Sequence, residues 1–431
     1  MVALDRIPTL LDSRSGQHAL VELYGPDPLR LSGERARYAR LAGLFAGMFP
    51  QHAAVRAFST PGRTEVGGNH TDHQNGHVLC ASVDLDILAF AAPNDDRVVR
   101  IHSEGYDRTD VIALDDLEPQ APERYRSAAL VRGIAAGLSE RGFKVGGFDA
   151  YTTSEVPKGS GLSSSAAFEV LVATVFSALY NGEGIPAVTR AIVSQYAENR
   201  FFGKPSGLMD QCGCAVGGFL SIDFADSAAP VLSPVAFDLD RAGYALVIAN
   251  TGGSHADLNE EYAAIPAEMR RVAAFFGQKT LRSVRPAEFY ARIADVRREA
   301  GDRAVLRAMH FFADDARVLA QAEALKRGDV DDFLRLVNES GASSWTLLQN
   351  ISVSGHPEEQ PLAIGLAAAQ RALKGRGACR VHGGGFAGTV QAFVPRDLLG
   401  AYLADLRALF GADSPSVLRI RALGSSEILA E

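Results

Sequence analysis

At 431 residues the chain is too long for one ordinary core and suits two domains. A hydrophobic content of 47% and a charged content of 22% speak against a disordered chain, and a net charge of −8 with no basic block speaks against nucleic acid as a main partner. No stretch reaches the roughly 18 uninterrupted apolar residues of a membrane span, and the first residues lack the charged-then-apolar order of a signal peptide, so a cytoplasmic protein is expected. Cys80, Cys212, Cys214 and Cys379 suit a reduced compartment; Cys212-Gly-Cys214 has no second pair to complete a metal site.

In chain order, Ser32 to Met48 predicts a helix with Ser32 as cap and Leu41, Leu44, Phe45 and Met48 on one face. A short strand is expected at Val55 to Phe58, then a polar, glycine-rich stretch from Ser59 to Gly76. His77 to Ala91 reads as a long strand, with shorter ones at Val98 to His102 and Asp110 to Leu114. Arg124 to Arg141 is amphipathic, and a β-rich approach, Gly147 to Ser154, leads into Pro157 to Ala167. An apolar helical pattern through Phe168, Leu171, Val172, Val175 and Leu179 leaves that loop. A helix follows at Ala187 to Asn199, then a second glycine-rich stretch, Phe201 to Gly218. Beyond it, strands are expected at Phe219 to Phe224 and Tyr244 to Asn250, then five or more helical segments between Asn259 and Arg376. Strands at Cys379 to His382 and Thr389 to Val394 flank three glycines, and a helix near Leu398 to Phe410 and a last strand close the chain. The pattern predicts an α+β protein of two domains, 1–220 and 221–431, with the boundary in the region Gly218 to Ala242.

Four stretches carry chemistry. Pro61 to Gly76 packs Arg63, Asn69, His70, Asp72 and His73 together, a set rich in donors and acceptors that suits a polyhydroxylated ligand. A metal site from His70, Asp72, His73 and His77 is the competing reading. Pro157 to Ala167 holds two glycines and four serines ahead of a helix. Glycine permits close backbone approach, and the unpaired N–H groups of the helix start favour an anion, so a phosphate cradle competes with a plain serine-rich cap. Lys158 precedes the loop, unlike the lysine of a P-loop. In Ala197 to Gln211, Pro205 and Gly207 forbid a continuous helix, so Glu198 and Asp210 can converge on one cleft from different elements. Phosphoryl transfer needs one carboxylate near a metal and one near the acceptor hydroxyl; two solvated acids are the alternative. Arg380 to Gly388 places Gly383, Gly384 and Gly385 after a strand, for close backbone approach or for a tight turn.

Together these stretches resemble the galactokinase family, within the galacto-, homoserine, mevalonate and phosphomevalonate kinase superfamily. The first is similar to its signature Gly-Arg-Val-Asn-Leu-Ile-Gly-Glu-His-Thr-Asp-Tyr. The second is similar to Pro-x-x-x-Gly-Leu-Ser-Ser-Ser-Ala, the third to Ala-Glu-Asn-x-Phe … Ser-Gly-x-Met-Asp-Gln, and the fourth to Gly-Gly-Gly-Phe-x-Gly. Weaker echoes are Asn250-Thr251 … His255 to Tyr262, and Arg307 to His310. The resemblance spans about residues 57 to 390 and implies a two-domain α+β sugar kinase with its active site between the domains. It implies ATP and Mg²⁺, a small-molecule sugar, and phosphorylation of the anomeric hydroxyl of galactose. It implies Asp210 as the catalytic aspartate and Arg63 as its electrostatic support. Glu198 and either Ser164 or Ser165 are implied as the Mg²⁺ partners, and Gly159, Ser160, Gly161, Leu162, Ser163, Ser164 and Ser165 as the ATP loop. Asn69, His70, Asp72, Gly207 and Tyr262 are implied on the sugar side. Asn69 stands where the family has Glu, near the sugar's exocyclic end, and this motivates a related sugar, L-arabinose or N-acetylgalactosamine, as an alternative substrate. His73 replaces Tyr, Glu65 and Val66 alter the middle of the signature, and Ala387 replaces a glycine. A non-catalytic sugar sensor on the same fold is a further alternative; Ser163 to Ala167, Arg63 and Asp210 are all present against it.

Overall fold

The computed structural model describes residues 1–157, 159–252, 258–353 and 355–429. The chain starts with strand β1 (Val2–Ala3) and helices α1 (Ile7–Asp12), α2 (Arg14–Tyr24) and α3 (Pro28–Met48). Strands β2 (Ala54–Gly67), β3 (His77–Pro93), β4 (Val98–Ser103) and β5 (Thr109–Ala113) follow, then α4 (Ser127–Glu140) and β6 (Phe148–Ser154). Helices α5 (Ser164–Asn181), α6 (Ala187–Ala197) and α7 (Met209–Val216) lead to the hairpin β7 (Phe219–Asp223) and β8 (Val231–Val235). After β9 (Tyr244–Asn250) come α8 (Asn259–Phe275), α9 (Pro286–Ala291), α10 (Ile293–Ala300), α11 (Asp302–Lys326), α12 (Val330–Ser343) and α13 (Pro361–Leu373). The chain ends with β10 (Ala378–His382), β11 (Thr389–Pro395), α14 (Leu399–Phe410), β12 (Pro415–Leu418) and β13 (Ser426–Glu427).

The strands form two sheets, so the α+β expectation holds. The larger runs β1-β2-β3-β6-β4-β5, with β13 beside β2 and the β7–β8 hairpin against the first half of β3. The smaller is antiparallel, in the order β10-β11-β9-β12. The chain leaves the first sheet after β8 and enters the second at β9. Strand β3 is buried on both faces, which is why it reads as an almost unbroken apolar run. Ile87, Ala89 and Ala91 pack on the side of α4–α7, while Leu88, Phe90 and Ala92 pack against α1–α3. Helix α5 is long and apolar enough to cross a membrane by length and composition, but two thirds of it is buried in this first core.

Three differences from the sequence expectations have physical causes. Helix α3 starts at Pro28 rather than near Ser32, because Asp27 accepts from the N–H groups of Leu29 and Arg30 and Pro28 fits the first helical position. Helices α1 and α2, of six and eleven residues, are short and lie outside the expected elements. Above all, β2 does not stop at Phe58 but continues to Gly67. Its polar residues look like loop residues, yet four of them find partners from distant parts of the chain: Thr60 with Ser425, Arg63 with Asp210, Thr64 with His382, Glu65 with Arg380. Register shifts at Pro61/Arg63 and Glu65/Gly67 bend the strand, and Pro61, which has no N–H for the ladder, sits at the first of them.

Candidate active site

Arg63 leaves the bend in β2, and Asp210 sits in the first turn of α7. Arg63 Nε and Nη2 donate to Asp210 Oδ1 at 2.8 and 2.5 Å, and Ser163 Oγ donates to Asp210 Oδ2 at 2.5 Å. The third Arg63 nitrogen, Nη1, donates to the carbonyl of Gly161, and the Arg63 N–H to that of Leu162. One buried guanidinium thus joins the carboxylate to the loop. Burial pushes the Asp210 carboxyl up, but Arg63, the Ser163 hydroxyl and Lys204 outweigh it and hold it below the ordinary value.

The loop is arranged to receive an anion. Gly159 and Gly161 both adopt positive φ, 73° and 74°. Ser160 Oγ turns back to the Pro157 carbonyl at 2.7 Å and Leu162 is buried, so these two shape the loop. Ser163 is the N-cap of α5, but in the left-handed region, and its hydroxyl goes to Asp210 instead of capping the helix. The first-turn amides of an 18-residue helix therefore stay uncapped from within. Ser164 is half-buried and Ser165 exposed in that same turn. Lys158 lies outside the described residues.

Glu198 is 3% exposed at the turn that ends α6. Lys204 Nζ lies 3.0 Å from its Oε1, while Ser206 Oγ and Gln211 Nε2 donate to its Oε2 at 2.5 and 3.0 Å. The same Gln211 nitrogen donates to Glu169 Oε2 at 3.0 Å. Glu169 did not stand out among the sequence candidates. A single carboxyl in the otherwise apolar run Ala166 to Ala173 was the available signal. It is fully buried, and among the described residues its Oε1 has no hydrogen-bond partner. Burial and then the neighbouring Glu198 push its carboxyl well up. The donors here are oxygens of two carboxylates and of serine hydroxyls, and they suit a hard cation such as Mg²⁺. Among the described residues no group of three His, Cys, Asp or Glu could hold a metal by itself.

On the other side lie His70, Asp72, Gly207 and Tyr262. Asp72 presses on Gly207, where an added Cβ would stand 2.4 Å from Asp72 Oδ2. Gly207 lies three residues before Asp210, in the segment that leads into α7, so the two clusters share one wall. The glycine run explains how this side is held. Its carbonyls are successive acceptors: Gly383 from Asn69 Nδ2 at 2.8 Å, Gly384 from His70 Nε2 at 2.9 Å, Gly385 from the Tyr262 hydroxyl at 2.7 Å. A Cβ on Gly384 would meet the Tyr262 ring at 2.6 Å, and one on Gly385 the Asn350 carbonyl at 2.2 Å. The close approach expected of these glycines is to the protein's own side chains. His70 has φ 61°, a left-handed conformation uncommon outside glycine, and burial and His73 lower its imidazole to about 4, so it is neutral with Nε2–H as donor.

Asn69 is placed differently from the rest of the sugar-side set. It is wholly buried, and its amide is used within the protein. Nδ2 donates to Glu65 Oε1 and Gly383, and Oδ1 accepts from Asn350 Nδ2 at 2.8 Å and Ser344 Oγ at 3.2 Å. His310 Nε2 holds its carbonyl at 2.9 Å. The alternative metal cluster is not assembled either: His70 is bonded to Gly384 and His77 to Asp315. Of the weaker echoes, His255 lies outside the described residues. Arg307 is a buried ion-pair partner of Glu268 at 2.9 Å.

Comparison with known proteins finds likeness in two segments and in the fold. Residues 44–93 match the model described as the galactokinase galactose-binding signature, and residues 129–218 the GHMP kinases N terminal domain. The crystal structure of Lactococcus lactis galactokinase complexed with galactose superposes with a TM-score of 0.76 at 26% identity, covering 90% of this chain and 99% of that one. Methanococcus jannaschii mevalonate kinase (0.61, 15%, covering 86% and 99%) and Streptococcus pneumoniae phosphomevalonate kinase in complex with phosphomevalonate and AMPPNP (0.58, 13%, covering 84% and 99%) share the fold. With the signature on β2–β3, the N-terminal kinase domain on α4–α7 and the fold in common, this chain is similar to galactokinase and shares the fold of the galacto-, homoserine, mevalonate and phosphomevalonate kinases.

Proposed function

We propose that the protein transfers the terminal phosphoryl group of ATP to the anomeric hydroxyl of galactose. The observation that carries this reading is the Arg63–Asp210–Ser163 constellation, in which one carboxylate is held by a buried guanidinium and by a hydroxyl of the loop. In it Asp210 orients the attacking hydroxyl and takes up its proton late, since Arg63 makes it a weak base and a good electrostatic guide. The amides from Gly159 to Ser165 bind the phosphates. Glu198, with Ser164 or Ser165, would hold Mg²⁺, and Glu169 lies behind Glu198. When bound, Mg²⁺ supplies positive charge for the phosphate oxygens during transfer. His70, Asp72 and Tyr262 serve the sugar, and Gly207 leaves room beside Asp72. The division into 1–220 and 221–431 belongs to this proposal.

A second reading is favoured by Asn69. Its amide is already satisfied by Glu65, Gly383, Asn350 and Ser344, so the exocyclic end of the sugar gains neither a carboxylate nor a free amide there. A sugar without the exocyclic hydroxyl, L-arabinose, loses little under this arrangement. A coupled ADP-release assay over galactose, L-arabinose and N-acetylgalactosamine tests both. We expect sugar-stimulated ADP release, with L-arabinose within about tenfold of galactose in kcat/KM, because one marginal hydroxyl contact is worth about 1 kcal/mol. A galactose preference of a thousandfold or more would retire the second reading, and no stimulation by any of the three would retire the first.

A further inference from the structure

His382 ends β10 directly under the loop and is 2% exposed. Its two ring nitrogens face two threonine hydroxyls: Nε2 lies 3.0 Å from Thr64 Oγ1 and Nδ1 lies 2.9 Å from Thr389 Oγ1. The directions of these bonds are set by their neighbours. Gln391 Nε2 donates to Thr64 Oγ1 at 2.5 Å, which leaves the Thr64 proton for His382 Nε2, the acceptor nitrogen of a neutral ring protonated at Nδ1. Thr389 Oγ1 donates to the carbonyl of Ser160 at 3.3 Å, so it accepts from His382, and Nδ1 carries the proton. The result is one directed chain, Gln391 to Thr64 to His382 to Thr389 to Ser160. It begins on the second sheet, crosses the bent strand β2, returns to the second sheet and ends on a carbonyl of the loop. All four side chains are at most 2% exposed, so water does not substitute for a missing link.

We propose that His382 is a positioning residue for the nucleotide: through this chain it fixes the peptide of Ser160 and Gly161 and so aims the loop's N–H groups at the phosphates. This rests on the reading that the loop receives ATP. The contact at Gly161 is close as well, since a Cβ there would stand 2.9 Å from His382 Nδ1 and 3.4 Å from Thr389 Oγ1. Only a neutral imidazole fits. A second ring proton would remove the acceptor of the Thr64 hydroxyl and would bring a positive charge beside Arg63 and Arg380. Burial first, then those two arginines, accordingly lower the imidazole to about 3, against the pull of Asp210 and the Ser160 backbone.

The test compares MgADP affinity, by isothermal titration without sugar, with the sugar KM in the same proteins. His382→Phe keeps a ring and removes both of its bonds; Thr389→Val removes the last two links, from His382 and to Ser160, and leaves the ring in place. Both are expected to weaken MgADP binding about tenfold while the sugar KM stays within twofold, the scale expected for one lost buried hydrogen bond. His382→Gln, whose amide can accept at one end and donate at the other, should recover most of the affinity. MgADP affinity within twofold of wild type in Thr389→Val, or an equal loss in sugar and nucleotide binding, would overturn the proposal. If His382→Phe does not fold, Thr389→Val decides alone. Wild-type protein that binds no MgADP contradicts the kinase reading itself, a result separable from the variants.

Discussion

Replacing Asp210 by Asn is expected to lower turnover about 10²–10⁴-fold while MgATP still binds. The substitution keeps the shape but loses the charge that three groups address. Arg63 donates twice to Oδ1 and Ser163 donates to Oδ2, and an amide offers them one acceptor where there were two. The pH profile gives this prediction a sign. The folded pKa of Asp210 lies below its unfolded value, so the stabilisation from its charged form is fully present above the unfolded value, about 3.9, and is lost as pH falls through the folded one. Asp210 therefore contributes no acid limb to kcat between neutrality and about pH 4. A stopped-flow or steady-state pH series on wild type and Asp210→Asn checks both parts. Near-normal turnover in the variant would remove Asp210 from its assigned role.

The second large effect is on stability. Arg380 is fully buried; its Nη2 pairs with Glu65 Oε1 at 2.8 Å and its Nη1 donates to the Val66 carbonyl at 2.8 Å. Burial pushes the Glu65 carboxyl up, and Arg380 followed by Arg63 pull it back. Arg380→Met leaves Glu65 buried with its principal counter-charge gone, at a cost of about 3–5 kcal/mol. That is a large share of the roughly 5–15 kcal/mol by which a domain is stable. In the double variant Arg380→Met/Glu65→Met both charges leave together, and most of the loss should return. Urea denaturation of the three proteins measures this. A single variant within about 1 kcal/mol of wild type would mean that the pair is not isolated from water as described.

What could be read from the residues, and what could not, divides along one line. Periodic apolar patterns with clear ends were legible: α5 with its loop, the two-faced strand β3, and β9, whose bounds agree with the structure. The carboxylates Glu198 and Asp210 were legible because proline and glycine between them exclude one helix. Not legible were the partnerships of polar residues that lie far apart along the chain. The continuation of β2 depends on Ser425, Asp210, His382 and Arg380, more than a hundred residues away, and local propensity alone reads that segment as a loop. Asn69 was placed at the sugar by likeness of position. Its four side-chain contacts come from Glu65, Gly383, Asn350 and Ser344, which only the fold brings together. Glu169 and His382 had weak local signals, a carboxyl inside an apolar helix and an imidazole at the end of an apolar strand. Neither has meaning until Gln211, Thr64 and Thr389 are seen beside it.

The central claim is phosphoryl transfer to the anomeric oxygen of a sugar held beside Asp210. Proton and phosphorus NMR of galactose incubated with the protein, ATP and Mg²⁺ reads this directly. The account predicts one ADP per phosphorylated sugar, with phosphorus coupled to the anomeric proton. Phosphate on any other hydroxyl, or folded, nucleotide-binding protein that leaves galactose and its relatives unmodified, would contradict it.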